Sequence, residues 1–131
     1  MIVVDASAIL ELLLNTPSVP RIAERLFARE ESLHAPHLLD LEVAQVLRRY
    51  ARSKELLPER GREALEDFLD LSLHRYPHDL FLGRILELRH NLTAYDAAYI
   101  ALAEALHTPL VTCDRHLAAA KGHDADIHLI A

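Results

Sequence analysis

The sequence predicts a single α/β domain of three layers, with a central parallel sheet of four to five strands flanked by helices. Short apolar runs rich in β-branched residues, of which Met1–Val4 is the first, alternate along the chain with segments of helical periodicity. Such alternation implies right-handed βαβ crossovers that cover both faces of a parallel sheet. The 131 residues, 51% of them hydrophobic, show no linker and no internal repeat. We therefore expect residues 1–131 to form one domain.

Apolar periodicity and proline positions place the elements in the first half of the chain. Pro17 and Pro20 interrupt the chain between two helices. Leu39, Val43 and Val46 recur at helical spacings of 4 and 3. In order, we predict a strand at Met1–Val4, helices at Ala6–Leu13 and Arg21–Glu30, a strand at Ser32–Ala35 and a helix at Leu38–Arg52.

Helix start signals organise the second half. Pro58 stands at a first-turn position, which tolerates proline. Thr93 is a candidate N-cap. In order, we predict a helix at Glu59–Leu71, a strand at Ser72–Arg75, a helix at Asp79–Arg89, a helix from Thr93 to His107, a strand at Pro109–Cys113, a short helix at Arg115–Ala120 and a final strand at Ile127–Ile130.

Composition excludes several classes of protein. A single cysteine, Cys113, cannot form an intrachain disulfide, so we expect a reducing compartment and a cytoplasmic location. The apolar run Ala97–Ala103 covers 7 residues, far short of the roughly 20 that span a bilayer, and we expect no membrane partner. Asp5 interrupts the apolar start, so we expect no signal peptide.

The charge distribution is uneven. The chain has a net charge of −6, but residues 45–62 carry +4, which leaves −10 for the remainder. Arg48, Arg49 and Arg52 form the core of this basic strip and are candidates for binding a polyanion beside an acidic site. The alternative is an ordinary solvated helix surface.

Two of the predicted strands end in an aspartate. Asp5 follows Met1–Val4, and Asp114 follows Pro109–Cys113. Because ligands bind at the carboxyl ends of strands in open α/β sheets, neighbouring strands would bring both acids to one edge. The alternative is that each aspartate only caps the helix that follows it.

Two further acids stand in early turns of predicted helices. Glu42 shares a helical stripe with Gln45 and Arg49, so it lies on a partly polar face that ends in a cation. An exposed glutamate favoured by the helix dipole is the alternative. Asp96 follows Thr93 by three residues, as in a variant capping box. Since the helix it opens is almost wholly apolar, we expect Asp96 near a crevice.

Four acidic segments follow one another along the chain. They are Val-Val-Asp-Ala-Ser-Ala from residue 3, Ala-Pro-His-Leu-Leu-Asp-Leu-Glu-Val-Ala-Gln-Val-Leu-Arg-Arg from residue 35, Leu-Thr-Ala-Tyr-Asp-Ala-Ala-Tyr-Ile-Ala-Leu-Ala-Glu from residue 92 and Pro-Leu-Val-Thr-Cys-Asp-Arg-His-Leu from residue 109. In this order, they resemble a PIN domain and more narrowly a VapC-type toxin of a toxin–antitoxin pair. The resemblance covers essentially the whole chain.

The resemblance implies an Mg²⁺-dependent endoribonuclease with a VapB-like antitoxin and a homodimeric state. The family's acidic site falls on Asp5, Glu42, Asp96 and Asp114, of which Asp5, Asp96 and Asp114 are the implied metal ligands, while Ser7 and Thr112 match its supporting hydroxyl residues. Physical chemistry agrees, because four carboxylates cannot stay ionised together without a cation or protons. An all-oxygen set suits Mg²⁺ or Mn²⁺, and such a metal can activate water for attack on an RNA phosphodiester.

Other chemistries have weaker support. No His-Glu-x-x-His motif occurs, and Pro77 interrupts the one histidine pair with helical spacing, so zinc catalysis is disfavoured. Cys113 has no evident base, and we interpret it as a small core residue. Two alternatives stay open. One is a phosphatase or phosphotransferase with an aspartyl nucleophile, although Ser7 stands where that chemistry wants a second carboxylate. The other is a non-catalytic α/β module that binds a partner.

Overall fold

The computed structural model describes residues 1–28 and 30–130, and this part of the chain forms five strands and seven α-helices. The strands are β1 (Ile2–Val4), β2 (Leu33–Pro36), β3 (Leu73–Tyr76), β4 (Leu110–Thr112) and β5 (Ile127–Leu129). The helices are α1 (Ala6–Leu13), α2 (Val19–Phe27), α3 (Leu38–Arg52), α4 (Pro58–Asp70), α5 (Leu82–Glu87), α6 (Ala94–Leu106) and α7 (Arg115–Ala118).

All five strands pair in parallel, in the order β3-β2-β1-β4-β5. The chain therefore builds the sheet outward from β1 in one direction and returns to continue from β1 in the other. This reversal places a topological switch point between β1 and β4, where open α/β sheets bind ligands. The predicted fold class is confirmed.

The central strands are buried because helices flank the sheet. Residues Ile2–Val4 are inaccessible to solvent, as are Leu110 and Val111 of β4. Helix α6 packs on β1 and β2 with α5 outside it, and α1 packs on β4 and against α2, α3 and α4. Among the described residues, no helix has both the length and the hydropathy to cross a membrane.

Several predicted boundaries differ from those in the structure. Helix α2 begins at Val19 rather than Arg21 and includes Pro20, because proline fits the first turn of a helix. The helix ends at Phe27 rather than at the predicted Glu30. Arg29, within the predicted range, lies outside the described residues. The helix predicted at Asp79–Arg89 is a 3₁₀ turn at His78–Phe81 followed by the shorter α5. His107 ends α6 in a left-handed conformation rather than continuing it.

Candidate active site

Asp5 lies at the carboxyl end of β1 and is 5% exposed. It is the N-cap of α1, because its Oδ1 accepts a hydrogen bond from the Ala8 N–H at 3.1 Å. The Ser7 hydroxyl donates to the same oxygen at 2.7 Å, and the Thr112 hydroxyl donates to Oδ2 at 2.5 Å. Burial raises the pKa of Asp5, and these three hydrogen bonds oppose the rise. The site therefore fixes a carboxylate in place at an energetic cost.

Strand register explains why Thr112 reaches Asp5. Val4 is paired with Val111, so the next residues along β1 and β4 are also neighbours. The Thr112 hydroxyl is fully buried and also accepts the Asp114 N–H at 3.0 Å. Ser7 likewise accepts the Cys113 N–H at 2.9 Å while it donates to Asp5. Ser7 and Thr112 thus join the start of α1 to the end of β4, as supporting residues of Asp5.

Asp114 follows β4, and Asp96 stands in the first turn of α6. Both lie at the edge of the sheet that carries Asp5. Asp114 is the N-cap of α7, with Oδ1 accepting the N–H groups of His116 at 2.8 Å and Leu117 at 3.4 Å. The Asp96 N–H donates to the Thr93 side chain at 3.2 Å, so Thr93 is the N-cap of α6. Burial raises the pKa of Asp96, and the charge of Asp114 raises it further. The capping alternatives for the three aspartates therefore describe real contacts, which are compatible with a shared site.

Glu42 reaches the edge from the second turn of α3. The hydroxyl of Tyr99 donates to Glu42 Oε1 at 2.5 Å. Burial raises the pKa of Glu42, and this hydrogen bond opposes the rise, while the charges of Asp5 and Asp96 raise the pKa further. The alternative that Glu42 is an exposed first-turn glutamate is therefore wrong, because the side chain is half-buried near Asp5 and Asp96.

The four carboxylates are not neutralised by salt bridges within the described residues. In the part of the chain that the structure describes, none of them forms an ion pair with Lys or Arg. Within residues 1–28 and 30–130, no three His, Cys, Asp or Glu side chains already converge as a metal-ion site would require. The donor chemistry nevertheless fits a hard divalent cation, because all four side chains are carboxylates and such cations prefer oxygen ligands.

The basic strip borders this site along α3. Arg48, Arg49 and Arg52 line an open depression of about 480 Å³ with Gln45 and Ser53. All three arginines are exposed. The Arg49 guanidinium lies over the Tyr50 ring, 5.4 Å from its centroid.

The side chains of His34, His78 and Cys113 contribute to the fold, whereas the charge of His116 lowers the pKa of Asp96. His34 is buried on β2, stacks on His74 of β3 and bonds to the Tyr76 hydroxyl. His78 Nε2 accepts the N–H of Leu38 at the start of α3. Cys113 is partly buried against the core, and burial raises the pKa of its thiol to about 11, which disfavours a thiolate nucleophile.

Tyr99 is the site residue that sequence reasoning missed. It is 2% exposed and stands three residues after Asp96, on the same face of α6. That spacing was available in the sequence. Within an apolar helix, however, a tyrosine is indistinguishable from core packing until its hydroxyl partner is known.

Comparisons with known proteins agree with this fold. The PIN domain profile matches residues 2–122. Ribonuclease VapC12 of Mycobacterium tuberculosis is 43% identical over 131 residues, 100% of both chains, and Ribonuclease VapC9 of the same species is 50% identical over 117 residues, 89% of this chain and 88% of the relative. A crystal structure of a Pyrobaculum aerophilum protein superposes with a TM-score of 0.70 at 27% identity and covers 96% of this chain and 81% of that one.

A second solved structure shows the fold alone. The VapBC2 complex of Rickettsia felis, bound to a DNA fragment from its promoter, matches with a TM-score of 0.71 at 16% identity and covers 98% of each chain. Taken together, the parallel sheet, the acidic edge at its switch point and these matches define one class. The chain belongs to the PIN domain family and, within it, to the VapC ribonucleases.

Proposed function

We propose that this chain is a metal-dependent endoribonuclease that acts as the toxin of a toxin–antitoxin pair. One observation carries the proposal. Four carboxylates lie at one sheet edge, near enough that neighbouring acids raise the pKa of Asp5, Glu42 and Asp96. Among the described residues, none of the four forms a salt bridge with Lys or Arg. The names of the relatives support the same activity, since they are ribonucleases.

Asp5, Asp96 and Asp114 would hold Mg²⁺ or Mn²⁺. When bound, the ion would polarise the phosphate and lower the pKa of a bound water. The chain's own contribution is to orient the ligands, with Asp5 held by three donors and Asp114 held by the α7 backbone. Tyr99 occupies one oxygen of Glu42. We assign Glu42 the task of orienting water or accepting its proton through the other oxygen.

We further propose that the basic strip carries the RNA backbone. Arg49 stands seven residues after Glu42, roughly 10 Å along the axis of α3. A phosphate chain that leaves the acidic edge along α3 would pass Arg48, Arg49 and Arg52, and their cationic groups are exposed to meet it.

We propose a VapB-like antitoxin as the protein partner, a homodimer as the assembly and the cytoplasm as the location, where RNA and such an antitoxin occur together. The edge is acidic, so a segment that blocks it would present Arg or Lys. Exposed Leu65 and Leu69 lie one turn apart on α4, and exposed Leu57 precedes this helix, which gives a surface that suits protein contact. We also assign all of residues 1–131 to one PIN domain, because β5 lies beyond the matched range and hydrogen-bonds to β4.

The two alternative functions predict different results. Ser7 stands where an aspartyl phosphotransferase needs a second carboxylate. Its hydroxyl is instead hydrogen-bonded to Asp5 and Cys113. A purely structural module is supported by the capping bonds of Asp5 and Asp114, and it would have no hydrolytic activity.

The deciding experiment incubates the purified chain with RNA in Mg²⁺ or Mn²⁺, with EDTA and with the variant Asp114→Asn as controls. We expect internal cleavage of RNA that stops in EDTA and in the variant. Cleavage that persists in EDTA and in the variant would reject the metal mechanism. Hydrolysis of p-nitrophenyl phosphate without RNA cleavage would favour the phosphatase, and no activity on either substrate would favour the structural module.

A further inference from the structure

An apolar slot opens beside the acidic edge, between α3 and the start of α6. Leu38, Leu41 and Val46 line it from α3, and Tyr95 lines it from α6, around a volume of about 340 Å³. Leu41 is 75% exposed and Tyr95 is 67% exposed, although both are large apolar side chains. We call this feature the α3–α6 slot. Its exposed aromatic and aliphatic surface is the kind that marks a binding site.

Two polar side chains border the slot. One is Glu42, so the slot directly adjoins the candidate active site. The other is Gln45, an exposed residue one turn further along α3. A glutamine amide offers both a donor and an acceptor, which matches the edge of a nucleobase.

The slot shares lining residues with two neighbouring depressions. Val46 also borders a depression of about 250 Å³ that reaches Ser7 and Cys113, and Gln45 also borders the arginine depression. Arg49 lines both of these neighbours. Along α3 the surface therefore changes from apolar, through an amide, to cationic. A nucleotide has the same three parts: a flat base, its polar edge and an anionic phosphate.

We propose that the α3–α6 slot is a nucleobase subsite of the ribonuclease. The ring of Tyr95 stacks on one base next to the cleaved phosphodiester, and the amide of Gln45 hydrogen-bonds to that base's edge. Such stacking on aromatic side chains is how proteins hold single-stranded bases. This inference rests on the proposed function and deepens it, because it names the residues that select the base at the cleavage position.

The charge of the lining residues favours a base over other parts of the substrate. Glu42 is the only acidic or basic residue among the described residues that line the slot, and a carboxylate there disfavours phosphate while it tolerates a neutral planar group. The phosphate is directed instead to Arg48, Arg49 and Arg52 on the same helix.

The test uses a short RNA that carries the fluorescent base 2-aminopurine at each position in turn, with EDTA present to keep the RNA intact. Stacking quenches the fluorescence of this base. We expect quenching at one position with the wild-type chain, retention in Tyr95→Phe, which keeps the ring, and loss in Tyr95→Ala. Leu80→Ala is the matched control, since Leu80 is also 67% exposed and lines a separate depression with Phe81 and Arg84. It should leave the quenching unchanged.

Cleavage kinetics give a second measurement. In Tyr95→Ala we expect KM to rise about tenfold, within the roughly 5- to 150-fold range of base stacking on an aromatic residue, and in Gln45→Leu we expect an altered base preference at the cleavage site. Quenching and KM that are unchanged in Tyr95→Ala would overturn the subsite. Cleavage of RNA by the wild type would, in that case, still support the proposed function. Conversely, an inactive wild type with Tyr95-dependent quenching would reject the ribonuclease and keep the nucleobase site. If Tyr95→Ala instead splits a dimer in sedimentation and leaves quenching unchanged, the slot is an interface between copies and the subsite is rejected.

Discussion

The hydroxyl of Tyr99 donates a hydrogen bond to Glu42 Oε1 at 2.5 Å, joining α6 to α3 at the acidic edge. Burial raises the pKa of Tyr99 far above its usual range, and the hydrogen bond to Glu42 raises it further. The phenol therefore stays protonated and acts as a permanent donor. It turns Glu42 toward Asp5 and Asp96, so we regard it as a positioning residue.

Tyr99→Phe removes this donor and keeps the ring. We expect kcat to fall about fivefold, since a hydrogen bond contributes about 1 kcal/mol, while KM for RNA stays the same. The matched control is Tyr50→Phe, because Tyr50 lies on α3 and its hydroxyl contacts none of the acids. A fall in kcat of the same size in Tyr50→Phe would show that the loss is not specific to Glu42.

Asp5→Asn should separate activity from stability. We expect activity to fall by roughly a hundredfold or more, as for other groups that act electrostatically at an active site. Without metal, the melting temperature should hold or rise, because burial raises the pKa of Asp5 in the fold and the ionised form is destabilising above that pKa. The asparagine can still accept from Ala8 and Ser7 through its own oxygen.

The stability difference between Asp5→Asn and wild type should depend on pH in a definite direction. As the pH falls through the raised pKa of Asp5 toward its ordinary value of 3.8, the wild-type carboxylate takes up a proton. The free-energy cost of burying an ionised Asp5 then disappears. Thermal melts in EDTA should therefore show the stabilising effect of Asp5→Asn near neutral pH and little effect near pH 4. An unfolded Asp5→Asn chain would instead show that Asp5 is mainly a structural cap.

Glu104→Gln should lower stability at neutral pH, which is the opposite of the effect expected for Asp5→Asn. Hydrogen bonds from Arg84 lower the pKa of Glu104, which also accepts the Asp124 N–H at 2.8 Å. The ionised form stabilises the fold above the ordinary pKa, and this contribution is lost as the pH falls through the lowered one. We expect Glu104→Gln to lower stability by about 1 kcal/mol at neutral pH, because the pair is partly exposed, and to leave RNA cleavage unchanged. Chemical denaturation at several pH values measures this.

Metal binding should stabilise the wild-type fold. At a hundredfold excess over its Kd, Mg²⁺ or Mn²⁺ should add about 2.7 kcal/mol through binding to the native state. Asp114→Asn should lose most of this gain, while Glu104→Gln should keep it. Equal gains in wild type and Asp114→Asn would place the bound ion elsewhere.

Arg49→Ala tests the basic strip. We expect weaker RNA binding and a slope of log affinity against log salt that is lower by roughly 0.7, the value for one phosphate contact on a single strand. Stability should stay within about 0.5 kcal/mol of wild type, and Mg²⁺ binding should hardly change. Arg89→Ala removes the same charge from an exposed residue just after α5, outside the basic strip, and is the control. Affinity and slope unchanged in Arg49→Ala would move the RNA path to another face.

Local patterns in the sequence were sufficient for the fold class, whereas the full set of four candidate acids came from the resemblance to the family. Apolar β-branched runs alternating with helical periodicity predicted a parallel sheet, and the two runs that end in Asp5 and Asp114 proved to be adjacent strands. Capping signals read from neighbouring residues were also confirmed, as at Thr93. These features depend on residues within a turn or two of each other, which a single sequence displays directly.

The tertiary structure alone decided how the acids are held. Thr112 and Asp5 are 107 residues apart, and their hydrogen bond exists because β1 and β4 are neighbours in a particular register. Tyr99 and Glu42 are 57 residues apart and meet because α6 and α3 lie at the same edge. The α3–α6 slot has the same origin, since Tyr95 and Leu41 come from those two helices. Periodicity along a chain reports which face of an element is apolar, but it contains no information on which element that face will meet. Sheet order and register supply that information, and they emerge only when the whole core packs.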